Sequence, residues 1–316
     1  MRGIDIARAY YEAFGLPMLK EQFPDLLPYI ACGLTGSGSE CYGFDDDVST
    51  DHDFEPGFCI FLPSEEIVSR RRAFELERAY AKLPKEFMGI QKSLMNPVGG
   101  PRRGVFRTSE YFMEKTGSKD GILTLQQWLT IPEYALAEAV NGEIFSDAYG
   151  EVTAIRTSLR HYPEDVRRKK LAGAVLLMAQ SGQYNYQRCL KHGETGAAQL
   201  AVFEFARNTM ETVFLLNQVY QPYYKWSFRA LRQLDTLSIE AELLECLLTT
   251  DNDANAEEKY NVIEGIASDI IDELIGQKLS EAVCGDLEKH AYSINDGIED
   301  AQLRNMHILS AVQEGL

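Results

Sequence analysis

The residues best suited to chemistry lie between Gly33 and Asp53, in the stretch GLTGSGSECYGFDDDVSTDHD. Asp51 and Asp53 stand two apart; on a strand that spacing sends both carboxylates to one face and His52 to the other. Two adjacent carboxylates repel each other unless a cation lies between them. Hard oxygen ligands of this kind suit Mg²⁺, with Mn²⁺ as the alternative, and Mg²⁺ takes its remaining ligands from water and substrate phosphates. Upstream, Ser37, Gly38 and Ser39 form a small-residue turn whose amides and hydroxyls fit phosphate oxygens. Together these features suit in-line displacement at phosphorus, with a nucleoside triphosphate as substrate and pyrophosphate as the leaving group.

Those side chains need a sheet to hold them. Leu27 to Thr35 reads as a buried strand running into the small-residue turn, and Asp51 to Leu62 as a second strand interrupted at Pro56-Gly57. One or two short helices are expected over residues 4–23, split near Gly15-Leu16-Pro17, and another from Ser64 to about Lys82. Gly104 to Phe112 reads as a strand leading into a helix. Leu125 to Val140 reads as a helix stopped by Gly142, and Glu143 to Asp147 as a short strand. Beyond about residue 152 strand signals cease, and apolar residues recur at helical spacing, as in Leu200, Phe203, Met210 and Phe214. The expected fold is therefore α+β: a mixed sheet with flanking helices over residues 1–151, then an all-helical bundle over 152–316.

The order Gly-Ser, spacer, Asp-x-Asp resembles the polymerase-β-like nucleotidyltransferase superfamily. The longer string GSGSECYGFDDDVSTDHDF is similar to a bacterial family of unknown function related to the aminoglycoside and lincosamide nucleotidyltransferases. The resemblance runs on through HYPEDVRRKKL, GQYNYQRCLKHG and LNQVYQPYYKW. It implies a nucleotidyltransferase-fold sheet, Gly38 and Ser39 as the phosphate-holding turn, and Asp51 and Asp53 as metal ligands and catalytic residues. The implied reaction moves AMP from ATP onto a hydroxyl of a small molecule. Members of the superfamily use a third carboxylate on a later strand. Here GVFRT carries Arg107 at that place, Glu110 follows three residues later, and Asp147 precedes a glycine turn where Asp serves structure.

In the helical half, Tyr223, Tyr224 and Lys225 offer rings for a base and a cation for a phosphate, and the resemblance raises them as nucleotide contacts. Gln183, Asn185, Tyr186 and Arg188 are too polar for a helix core and read as an inward-facing cluster lining a cleft, with Arg188 as a nucleotide contact. Glu204 and Glu211 read as solvated carboxylates. Arg102 and Arg103, beside Gly99-Gly100, read equally as a loop closing over a triphosphate and as a surface connection. The run Asp45-Asp46-Asp47 reads as a turn satisfying local amides.

Composition narrows the partners. With 31 basic and 48 acidic residues the formal charge is −17, which disfavours nucleic acid and suits a cationic acceptor. The six cysteines show no metal or disulfide spacing. The opening MRGIDIARAYYEAFG lacks a signal-peptide core, and no stretch reaches membrane-span length; a reduced, cytoplasmic chain is expected. Two rivals remain: a toxin–antitoxin type of nucleotidyltransferase acting on protein or RNA, and a non-catalytic nucleotide- or partner-binding module.

Overall fold

The computed structural model describes residues 2–46, 55–92 and 102–312. The chain divides into two compact units, Met1–Thr124 with Tyr134–Arg160, and Leu125–Glu133 with His161–Leu316.

In the first unit α1 (Gly3–Tyr10), a π-helical turn (Tyr11–Gly15) and α2 (Leu16–Gln22) run on without the break expected at Gly15-Leu16-Pro17. The Leu16 amide reaches back to the Tyr11 carbonyl, and Pro17 falls in the first turn of α2, where a missing N–H costs little. Gly15 is a packing requirement, because a Cβ there would lie 2.3 Å from Cζ of Phe58. Tyr10 and Tyr11 both pack edge-on or tilted against that same ring.

A four-stranded mixed sheet carries this unit, in the order β5-β2-β1-β6. β1 (Ala31–Leu34) and β2 (Cys59–Leu62) are wholly buried and antiparallel, with Ala31 opposite Phe61 and Gly33 opposite Cys59. β5 (Gly104–Arg107) runs parallel to β2, reached through α3 (Arg70–Tyr80) and the small hairpin of β3 (Glu86–Phe87) and β4 (Ile90–Gln91). The helix expected from Ser64 starts later because Ser69 is its N-cap, accepting from the Arg72 amide. α4 (Thr108–Thr116) follows β5 directly and ends at Gly117, whose φ of +70° suits glycine.

The helix expected over 125–140 is two helices, α5 (Leu125–Thr130) and α6 (Glu133–Val140), since Pro132 disfavours helical geometry at Ile131. β6 (Glu143–Asp147) is where the sequence placed it and pairs antiparallel with β1, with a register shift between Cys32 and Gly33. A side chain on Gly33 would meet the Glu143 carbonyl at 2.5 Å, so glycine is what lets the two backbones approach there.

The second unit is helical throughout its described residues. After α7 (Glu151–Ser158) of the first unit come α8 (Glu164–Met178), a π-helical stretch (Ala179–Tyr186), α9 (Gln187–Lys191) and the long α10 (Thr195–Leu216). Then follow α11 (Tyr224–Leu231), α12 (Glu240–Thr249), α13 (Ala256–Gly276), α14 (Leu287–Asp296) and α15 (Ala301–Asn305). Leu171, Val175, Val202, Phe205, Phe214, Ile263, Ile270 and Ile294 are among the residues of one apolar core. Glu240, the first residue of α12, is fully buried.

Burial, and after it the Asp269 carboxylate, pushes Glu240 from an ordinary value of 4.5 up to about 8. The folded chain thus holds a proton there that the unfolded chain releases near 4.5, so stability falls as pH rises from about 4.5 to about 8. Glu240→Gln is expected to flatten that decline, read as urea midpoints at several pH values across the window. An unchanged slope in the variant counts against the assignment.

Candidate functional site

The turn after β1 is held from outside itself. The Thr35 hydroxyl lies 2.9 Å from the Glu138 carbonyl and 3.1 Å from Oδ1 of Asn141. Asn141 then clasps the next residue: its Oδ1 accepts from the Gly36 amide at 2.9 Å, and its Nδ2 donates to the Gly36 carbonyl at 2.8 Å. Gly36 has a φ of +124°, open to glycine and strained for other residues. Ser37 and Ser39 are half-buried, and Ser39–Cys41 forms one 3₁₀ turn. Gly142 stands behind the turn; its amide donates to the Cys41 carbonyl, and a Cβ there would sit 2.0 Å from the Leu34 carbonyl oxygen.

Glu40 folds its carboxylate back over Gly38, where a Cβ would lie 2.4 Å from it. The reason is Arg103, whose Nη2 donates to Glu40 at 2.7 Å and whose Nη1 lies 3.8 Å from Glu55. The Arg103 and Glu40 side chains are 4% and 3% exposed, so the pair is a buried one and neither charge has water to fall back on. Arg103 is therefore part of the interior, not of a loop closing over a triphosphate. Antiparallel pairing places the end of β1 beside the start of β2, and the Glu40–Arg103–Glu55 bridge ties the turn to the chain entering β2.

The cysteines around the sheet lie in surroundings that disfavour the thiolate. Cys32, Cys41 and Cys59 are buried, and burial pushes the Cys32 and Cys59 thiols up to about 12. Cys189 is half-buried, Cys246 and Cys284 are exposed, and all six are free thiols.

Of the residues singled out from sequence, Ser37, Gly38 and Ser39 come together in the turn just described. Asp51 and Asp53, with His52, lie outside the described residues, as do 93–101. Asp53 stands two positions before Glu55 in the chain. Glu110 is exposed on the first turn of α4, and Arg107 uses Nη1 to donate to the Pro63 carbonyl at 2.7 Å. Asp147 accepts from the Gly150 and Thr153 amides, a structural role. Asp45 accepts from the Gly3 amide and anchors the start of α1. A carboxyl that the sequence reading missed is Glu151, at the start of α7, raised above its ordinary value by burial.

In the helical unit Tyr223 and Tyr224 have ring centroids 4.5 Å apart, and the exposed Lys225 lies over the Trp226 ring. Arg188 is exposed on α9 and donates to the Tyr184 hydroxyl at 3.0 Å. Gln183, Tyr184 and Asn185 line a cavity of about 550 Å³ with Gln180, Asp286 and Glu288, while Tyr186 turns fully inward to bond Asn252.

Glu211, expected to be solvated, is 9% exposed on α10. Burial, and next the Glu133 carboxylate, push it up to about 7, with Lys170 opposing. Glu133 accepts from the Tyr162 hydroxyl at 3.2 Å and the Gln221 amide at 3.3 Å, and Lys170 lies 3.7 Å away. The spacing of these residues along the chain, from 133 to 221, gave no local signal for the cluster.

Residues 128–227 match a family model described as a domain of unknown function, DUF4037. The matched stretch contains Asn141 and every member of the Glu133–Lys170–Glu211 cluster, and it begins well after the Gly36–Ser39 turn. Among curated proteins nothing matches the chain.

Asn141→Ala removes both bonds to Gly36 and leaves a buried amide unpaired, at an expected cost of about 2–3 kcal/mol. Arg103→Met strands Glu40 and is expected to cost more, about 3–5 kcal/mol. Urea denaturation of both variants checks the order; a smaller loss for Arg103→Met contradicts the weight given to the ion pair.

Proposed function

We propose that this chain is a Mg²⁺-dependent nucleotidyltransferase, moving a nucleoside monophosphate, AMP from ATP, onto a hydroxyl of a small molecule. The observation that carries the reading is the bridge from Glu40 through Arg103 to Glu55. It fastens the Gly36–Ser39 turn to Glu55, which stands two residues after Asp53 and ahead of β2. A turn pinned by Asn141 keeps its shape with no hydrogen bond from the Ser37 or Ser39 hydroxyl among the described residues, which suits it to hold phosphate oxygens.

The proposed ligands are Asp51 and Asp53, whose carboxylates, two apart in the chain, are the donor set that Mg²⁺ takes. Bound there, the ion would supply charge neutralisation at the triphosphate. In the transfer the acceptor oxygen forms a bond to the α-phosphorus and the bond from that phosphorus to the bridging oxygen breaks. Pyrophosphate leaves, and the hydroxyl proton passes to a base. The chain's own contribution is placement: Ser37, Gly38 and Ser39 orient phosphate, and Asn141 holds them in position.

The acidic net charge favours a small, cationic acceptor over RNA. No helix among the described residues is long and apolar enough to cross a membrane. A second reading, nucleotide binding without turnover, is favoured by one observation: the place of a third acid is taken by Arg107, tied to Pro63, with Glu110 out in solvent.

Incubation with labelled ATP, Mg²⁺ and cell extract is expected to release pyrophosphate, and Asp51→Asn or Asp53→Asn to lower the rate by at least about 100-fold. Equal rates in wild type and both variants rule the proposal out. Calorimetry that shows Mg²⁺-dependent ATP binding with no turnover selects the second reading.

A further inference from the structure

The cavity of about 550 Å³ belongs wholly to the second unit, and its volume falls in the range of small-ligand sites, about 300–1,000 Å³. One wall is the π-helical stretch Ala179–Tyr186, an irregularity that recurs at functional sites. Gly182 seats that stretch against α10 and α13, since a Cβ there would lie 2.3 Å from the Phe205 ring and 2.8 Å from Ile263. The other wall is Gly285 and Asp286 with the first turn of α14, and Gln183 clamps the two together. Its Nε2 donates to the Gly285 carbonyl at 2.9 Å and to Oε2 of Glu264 at 3.0 Å, and its Oε1 accepts from the Leu287 amide at 3.0 Å. Gln183 is thus spent on the walls, whereas the side chains of Gln180, Asn185 and Glu288 make no hydrogen bond among the described residues. Tyr184 is 59% exposed, and Arg188 braces it, with the guanidinium 5.1 Å from the ring centroid.

We propose that this cavity binds a neutral sugar, a mono- or disaccharide. Sugar hydroxyls both donate and accept: the Asp286 and Glu288 carboxylates accept from them, and the amides of Gln180 and Asn185 meet either role. The Tyr184 ring suits the apolar C–H face of a pyranose. An anion is a poor fit. None of the lining residues is cationic, and the first amides of α14 are already engaged. Leu287 donates to Gln183, Glu288 to Oδ1 of Asp286 at 3.0 Å, and Lys289 to the Asp286 carbonyl at 3.1 Å. An organic cation fits less well than a sugar, because the positive end of the α14 dipole lies beside the same carboxylates and the amide N–H groups would find no acceptor. Asp286 and Glu288 have a structural use as the cap and first-turn acid of α14. Gln180, Asn185 and the exposed Tyr184 ring have no such use, and they are what calls for a ligand. The site stands whether or not the chain transfers nucleotides.

The test titrates the full chain with glucose, galactose, maltose and lactose, followed by saturation-transfer NMR, with spermidine and glucose 6-phosphate as charged probes. At least one neutral sugar is expected to bind saturably, and more tightly than either charged probe. Tyr184→Ala and Asn185→Ala, both surface changes, are each expected to weaken that binding by at least about 10-fold. Tyr184→Phe, which keeps the ring, is expected to hold it within about 3-fold, and Glu245→Gln on α12 to leave it unchanged. Neutral sugars that all fail to bind saturably overturn the proposal, as does wild-type binding by Tyr184→Ala, or spermidine as the only probe bound. Asp51→Asn is expected to bind the sugar as wild type does, which separates failure of this site from failure of the transfer reading.

Discussion

The contact on which the first unit most depends is the buried ion pair between Arg103 and Glu40, two charges that have exchanged water for each other. Its cost in desolvation is recovered only while both partners remain, which makes it a poor source of stability and a strict source of geometry. Glu40 reaches Arg103 by folding across residue 38, where a Cβ would lie 2.4 Å from its carboxylate. Arg103 in turn stands at the entrance to β5 and reaches Glu55 ahead of β2. One pair therefore fixes the turn, the approach to β2 and the start of β5.

The helical unit keeps its polar groups by a different rule. Lys169 and Lys259 are neutralised by dipoles, each ammonium facing two uncharged oxygens. Such arrangements hold helices together and use two of the three N–H donors of each ammonium. Lys170 and Glu211 follow neither that pattern nor the close pairing of Arg103 with Glu40.

Much of this was legible in the sequence. β6, β5 running into α4, and the change to helices after the sheet all followed from local patterns: alternation, a glycine stop, a run of apolar residues at helical spacing. The Ser37–Ser39 turn was readable because small residues at a strand end have few other uses. Non-local bonds were hidden. Arg103 looked like a loop cation because its partner lies sixty-three positions upstream, and Glu211 looked solvated because its neighbours Glu133 and Lys170 come from other helices. Charge on a side chain says nothing of burial until the partner is known. The gap expected at Pro17 also failed, since a π-helical turn absorbs what an α-helix cannot.

The two π-helical stretches, Tyr11–Gly15 and Ala179–Tyr186, have a meaning for how this chain tolerates change. Each holds one residue more than an α-helix needs to cover the same rise, so each works as a stored insertion. Deleting one residue there would leave a plain α-helix with the turns on either side facing much as they do now, whereas the same deletion in an α-helical stretch would rotate everything downstream by about 100°. These two stretches are thus the places where the chain can lose a residue without turning a different face of the helix inward.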